Sequence, residues 1–202
     1  MKPLNRVFVL SSLACSLVLT GCVKIWQENI DIKTYMVEVS RVGEPIKTAL
    51  APKLWIDSVN VLPPFNVRHL ILKKSDVEYT TSYYSELLMS PSENFRNELF
   101  SWLSLSGIFE EVSIVDRNSR SHSLVTSIME FYGDTMENTA VLRIKATLLD
   151  EETRGNRVLL SKDYTQRVEL GGSTAEELIR AYNSALTEIL MDLEPDLAAA
   201  LK

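Results

Sequence analysis

Residues 90–107 read SPSENFRNELFSWLSLSG, and this stretch holds a start, a face and a stop for one helix. Ser90 suits the N-cap, and Pro91 suits the first helical position, where its missing N–H would be unpaired anyway. Glu93 stands where it can reach back to the cap's amide. Phe95, Leu99, Trp102 and Leu103 recur at helical spacing, so one face is apolar and turns to a core. Gly107 suits the left-handed residue that ends a helix.

Working outward, Val77 to Tyr84 on one side and Ile108 to Val115 on the other read as strands. Strand, helix and strand make a right-handed crossover that leaves those strands parallel. Val67 to Lys73 pairs with Val77 to Tyr84 as a hairpin around Lys74-Ser75-Asp76, although that loop lacks an Asn-Gly signal. Ile30 to Val42 alternates as a strand, with Tyr35, Val37 and Val39 on one side. Lys53 to Leu62 is another, stopped at Pro63-Pro64 by the missing donors. Leu124 to Tyr132, Ala140 to Leu149 and Arg157 to Leu170 read as an antiparallel meander. Ser173 with Glu176 opens a second helix striped by Leu178, Tyr182, Leu186, Ile189 and Leu193, and Pro195 interrupts it. The fold class expected is α+β: a two-layer sandwich, with two main helices packed on one face of a mixed, mostly antiparallel sheet.

The chain begins differently. Lys2 and Arg6 precede the mostly apolar run Val7 to Leu19, too short to span a bilayer permanently and shaped like a secretory signal. Leu19-Thr20-Gly21-Cys22 then resembles the lipobox of bacterial lipoproteins. That resemblance implies cleavage between Gly21 and Cys22, a diacylglyceryl group on the Cys22 sulfur and acylation of the new amine. Residues 1–21 are therefore read as signal peptide, 22–29 as a lipidated tether carrying Trp26, and 30–202 as a single periplasmic domain. Two or three acyl chains on one cysteine make release from a membrane negligible, at about 0.8 kcal/mol per buried methylene. Position 23 is Val and not the Asp that tends to retain lipoproteins at the inner membrane. The resemblance thus favours the periplasmic face of the outer membrane, although Lys24 is also relevant in some bacteria.

Losing Lys2 and Arg6 with the signal leaves 19 basic against 27 acidic residues, a formal charge of −8. Such a surface argues against nucleic acid, whose binding rests on cations neutralising phosphates. Cys15 leaves with the signal and Cys22 carries lipid, so no thiol pair is left for a disulfide. His69 and His122 stand apart without metal-site spacing, and no G-x-S-x-G or phosphate-loop frame is present. Gly171-Gly172-Ser173-Thr174 reads as a strand-to-helix turn, and Asp150-Glu151-Glu152 as a solvated loop. An enzyme is not expected, nor a metal, nor any cofactor beyond the N-acyl diacylglyceryl group on Cys22.

One cluster is not explained by alternation. Tyr79, Tyr83 and Tyr84 lie close to Leu87, Leu88 and Met89, more large side chains than a short connection to the Ser90 cap can turn inward. Those that face out form a candidate partner-binding surface.

From Leu54 to Val115 the chain carries Arg68 before an apolar run, Tyr83-Tyr84, Ser90-Pro91 opening a helix, and Gly107-Ile108-Phe109-Glu110-Glu111-Val112 closing it. With Ala140 to Leu149, Ala181-Tyr182-Asn183 and Ala185-Leu186, this pattern resembles the ABC-type transport auxiliary lipoproteins, whose best-known branch is the paraquat-inducible protein C group. Family members often carry a Trp a few residues before the helix-opening proline. Here Leu87-Leu88-Met89 occupies that place, so no role of that aromatic carries over. The resemblance implies a non-enzymatic docking component of a transporter whose MCE-domain protein moves lipids between the two membranes. Its partners would be that protein, the transporter's membrane components and the bilayer itself, with homo-oligomerisation left open. A lipid-binding carrier and a structural envelope lipoprotein are the competing readings.

Cys22→Ser removes the only acceptor at the boundary and should give an uncleaved precursor that takes up no radioactive palmitate; unchanged labelling would refute the lipobox reading.

Overall fold

The structure is a computed structural model describing residues 31–117, 121–152 and 157–202. Its strands, in chain order, are β1 (Lys33–Tyr35), β2 (Ala51–Ile56), β3 (Asn60–Val61), β4 (His69–Lys73), β5 (Tyr79–Leu87), β6 (Phe109–Ser113), β7 (His122–Asp134), β8 (Thr139–Asp150) and β9 (Arg157–Glu169). The helices are α1 (Pro91–Ser106) and α2 (Ala175–Ala200). Strand β7 is the spine. One edge pairs antiparallel with β8 along its whole length, and β8 pairs likewise with β9. Along its other edge β2, β3 and β4 follow one another in short parallel pairings. Strand β6 extends the sheet beyond β2, while β5 and then β1 extend it beyond β4. The sheet is mixed, and its long ladders are the antiparallel ones expected.

Both helices cover one face. The Phe131 ring of β7 lies 5.2 Å from Phe95 of α1 and 4.3 Å from Tyr182 of α2. Leu142, Ile144, Ala146 and Leu148 of β8 bury their side of the alternation among the core residues, and Leu99, Leu103, Leu186 and Ile189 of the two helices belong to the same cluster. Tyr132 turns to the opposite face, where it stacks with Phe65 and meets the edge of Tyr79. The 3₁₀ turn Pro63–Phe65 thus seals part of the outer side. Residues 32–202 form one compact unit.

Helix α1 begins and ends as its sequence dictates, with the Ser90 hydroxyl accepting from the Glu93 amide and Gly107 left-handed at φ 74°. The Glu93 carboxylate accepts from that hydroxyl and does not reach the cap's amide. A Cβ on Gly107 would lie 2.3 Å from the Ile46 carbonyl oxygen, so only glycine fits. Four expectations are corrected. Strand β6 pairs parallel with β2, and β5 runs the opposite way through β4, so the strands flanking α1 are not parallel. Lys53 to Leu62 is two strands, because the chain steps from one stretch of β7 to the next after Ile56. The cap of α2 is Thr174, one residue later than expected, with the Glu177 amide as donor. Pro195 does not interrupt α2. Leu193 and Leu197 are buried on either side of it, and Glu194 and Asp196 are tied down by hydrogen bonds. Together these offset the ~3 kcal/mol cost of an internal proline.

The largest departure is at residues 36–42. Only Lys33–Tyr35 of the expected long strand joins the sheet. The remainder runs as an extended strap whose backbone is held by side chains of both helices. Asn94 of α1 accepts from the Val37 amide at 3.0 Å and donates to the Val37 carbonyl at 2.8 Å. Asn183 of α2 accepts from the Glu38 amide, and Glu98 of α1 from the Val39 amide. Arg41 then grips Glu194 of α2 with two nitrogens, at 2.9 and 2.8 Å, while the Trp102 indole of α1 donates to the same carboxylate at 2.8 Å. Burial pushes the Glu98 carboxyl above the usual carboxylate range, against the pull of the Val39 amide.

Val37 is fully buried, so Asn94→Ala strands its amide and carbonyl without partners. Each orphaned group costs about 1–3 kcal/mol. The urea midpoint should fall accordingly with an unchanged slope, and an unshifted midpoint would show that the strap contributes nothing.

Candidate functional site

The hairpin of β4 and β5 is irregular where the tyrosines lie. His69 faces Glu86 and Ile71 faces Thr81. Between those pairs β4 has one residue, Leu70, and β5 has four, Ser82 to Ser85. The surplus drives β5 outward as a bulge, and bulges re-aim side chains that regular pleating would separate. Arg68 pins the far end: its Nε donates to the Leu87 carbonyl at 2.8 Å and its Nη2 to Glu86 at 2.6 Å. Tyr83 and Tyr84 stand on the bulge at 69 % and 60 % exposure. Their rings meet edge to face with centroids 5.4 Å apart, although neighbours on a flat strand point to opposite faces.

The six expected surface residues divide. Tyr83, Tyr84 and Leu88 are exposed, and Met89 is half-buried with its sulfur accepting from Asn97. Tyr79 is half-exposed but packs on Tyr132, in the cluster on the outer face of the sheet. Leu87 is corrected outright: at 1 % exposure it belongs to the core and presents nothing to a partner. Strand β1 lies beside β5 with Lys33 opposite Ser85, so the chain arriving from the N-terminal side reaches the sheet next to the bulge. Cys22, the expected cleavage position after Gly21 and the tether lie outside the described residues.

Ser82 and Ser85 of the same bulge line a cavity of about 330 Å³, bounded also by Leu70, Leu72, Leu170 and Leu178. Sequence reading missed it, since its walls come from four separate stretches that only the closed sheet brings together.

The perturbed titratable groups are structural. Burial raises the phenols of Tyr132, Tyr164 and Tyr182. Asp196 accepts from Lys162 at 2.6 Å and from Tyr164 at 2.7 Å, and the lysine holds its carboxyl below the usual range. His69 is exposed on β4, while His122 meets the Ser121 hydroxyl at 2.9 Å. Among the described residues no three His, Cys, Asp or Glu side chains gather as a metal site, and no helix is long and apolar enough to cross a membrane.

A family model described as the ABC-type transport auxiliary lipoprotein component matches residues 37–193. No curated protein matches the chain by sequence. Among solved structures, a Xanthomonas campestris protein of the DUF330 family is similar at 15 % identity and TM-score 0.70, covering 80 % of this chain and 92 % of its own. An uncharacterised protein is similar at 13 % identity and TM-score 0.67, with 81 % and 97 % covered. A hypothetical protein from Chlamydia trachomatis is similar at 10 % identity and TM-score 0.51, with 74 % and 99 % covered. At these identities the likeness speaks for the fold.

Proposed function

The chain belongs to the ABC-type transport auxiliary lipoprotein component family, and from that membership we propose that it is the docking component of an MCE-type lipid transporter. Membership itself carries association with an ABC transport system in the cell envelope and is consistent with a non-enzymatic role. In the proposal Cys22 bears the lipid anchor, and Val23 directs the protein to the periplasmic face of the outer membrane. The domain holds an MCE-domain partner to that membrane, and any self-association serves the same assembly.

One observation carries the docking reading: Tyr83 and Tyr84 are displayed together on a bulge pinned by Arg68, with Leu88 also exposed nearby in the chain. Tyrosines presented on a fixed backbone lose little freedom on binding and are enriched among residues that dominate interfaces. The carrier reading needs an apolar chamber for a whole lipid. The cavity of about 330 Å³ lies at the low end of the ~300–1,000 Å³ typical of small-ligand sites. That size favours docking over carriage.

Mild crosslinking of the membrane-anchored protein in cells, followed by identification of its neighbours, tests the role. Components of a lipid transporter are expected, and their absence would count against it. Tyr83→Ala and Tyr84→Ala should each weaken that capture by about 1–3 kcal/mol. Melting should change little, since exposed side chains contribute within about 0.5 kcal/mol. Folded variants that keep the partner in full would remove this surface from the account.

A further inference from the structure

Behind the tyrosine bulge, the cavity of about 330 Å³ lies between the β4–β5 ladder, the turn joining β7 to β8, and the first turn of α2. Its chemistry is divided. Leu70, Leu72 and Leu178 supply an apolar wall, and Gly133 lets two of them close over the sheet. A Cβ there would lie 3.0 Å from both Leu72 and Leu178. Near the start of α2 the lining is polar, from Ser173 and Thr174, and Lys74 also lines the cavity. Lys74 is exposed and its ammonium makes no ion pair among the described residues. The helix adds the partial positive charge of its unpaired amides, of which the Thr174 side chain satisfies one. Glu176 is paired with Arg180, while Glu177 lies 3.8 Å from the same guanidinium with its other carboxylate oxygen beside Gly171.

A second observation adds a hydrogen-bonding group to the lining. Ser85 is only 8 % exposed, lines the cavity, and its hydroxyl makes no hydrogen bond among the described residues. Buried hydroxyls are normally paired, and a purely apolar occupant would leave this one orphaned. An occupant that matches this lining offers an anion, then an oxygen within reach of the Ser85 hydroxyl, and an apolar portion. Those groups follow one another in a glycerophosphate bearing an acyl ester.

We propose that the cavity binds the head and first part of one chain of an acyl-glycerophosphate. The phosphate meets Lys74 and the start of α2, the ester or glycerol oxygens meet Ser85, and the chain lies along Leu70, Leu72 and Leu178. The space of about 330 Å³ takes the head and first part of one chain, so a single-chain lipid leaves the rest of its chain outside and a bilayer lipid leaves its second chain outside as well. This site is separate from the tyrosine surface and does not depend on the docking role.

Native mass spectrometry of the intact mature lipoprotein, released from neutral detergent micelles, tests it. Three probes are used: 12-carbon lysophosphatidylglycerol, dodecyl phosphate, which lacks the glycerol and ester, and dilauroyl phosphatidylglycerol. One equivalent of the lysolipid should bind. Lys74→Glu, at an exposed position, should cut the bound fraction of both single-chain probes about tenfold. Ser85→Ala should lower the lysolipid adduct about fivefold and leave the dodecyl phosphate adduct unchanged. Equal binding of the two-chain probe, with the same Lys74→Glu loss, would support the site and identify bilayer lipid as its source. No adduct, or adducts indifferent to Lys74→Glu, would overturn the proposal.

Discussion

The arrangement depends on how two helices grip a piece of chain that belongs to neither a strand nor a helix. Asn94, Glu98 and Trp102 are spaced four apart on α1, so their side chains form one row toward the strap, while Asn183 and Glu194 of α2 meet it from the other side. The Arg41–Glu194–Trp102 cluster closes the end of the row. Arg41 and Glu194 have side chains only 6 % and 17 % exposed, so breaking either one leaves a poorly hydrated charge behind. The strap therefore ties α1 to α2 as firmly as it ties itself to them. It is also the part of the domain that directly follows β1.

Much of this fold was legible because local signals were strong. The cap at Ser90, the stop at Gly107 and the stripe between them define α1 by chemistry that acts within one or two turns. The meander was legible for the same reason, since Leu142, Ile144, Ala146 and Leu148 alternate with Arg143, Lys145 and Thr147 in a strand buried on one face. Residues 36–42 failed because alternation reports which side is buried and not what the backbone bonds to; here side-chain amides and carboxylates replace a neighbouring strand. Pro195 failed because a local rule was outweighed by tertiary ties on both sides of it.

The candidate surface was half legible. Crowding of large side chains before Ser90 pointed to the right stretch, but no sequence signal marks the four-against-one register that turns Tyr83 and Tyr84 together. Nor does any mark Leu87 as core and Leu88 as surface, a division set by where the bulge ends. Arg68 sets that end by bonding the Leu87 carbonyl and the Glu86 carboxylate at once. The exposed rings are therefore carried on a bulge whose end is fixed at Glu86 and Leu87, and a fixed end lowers the ordering cost of docking.

The strap is part of the folded core. Native-state hydrogen exchange at the Val37 and Val39 amides measures this most directly, because each is bonded to a helix side chain and not to a sheet. Both should exchange only with the free energy of global unfolding, the behaviour expected of Leu142 in the centre of β8. Exchange of these two amides at the rate of a frayed terminus, while β8 stays protected, would contradict it.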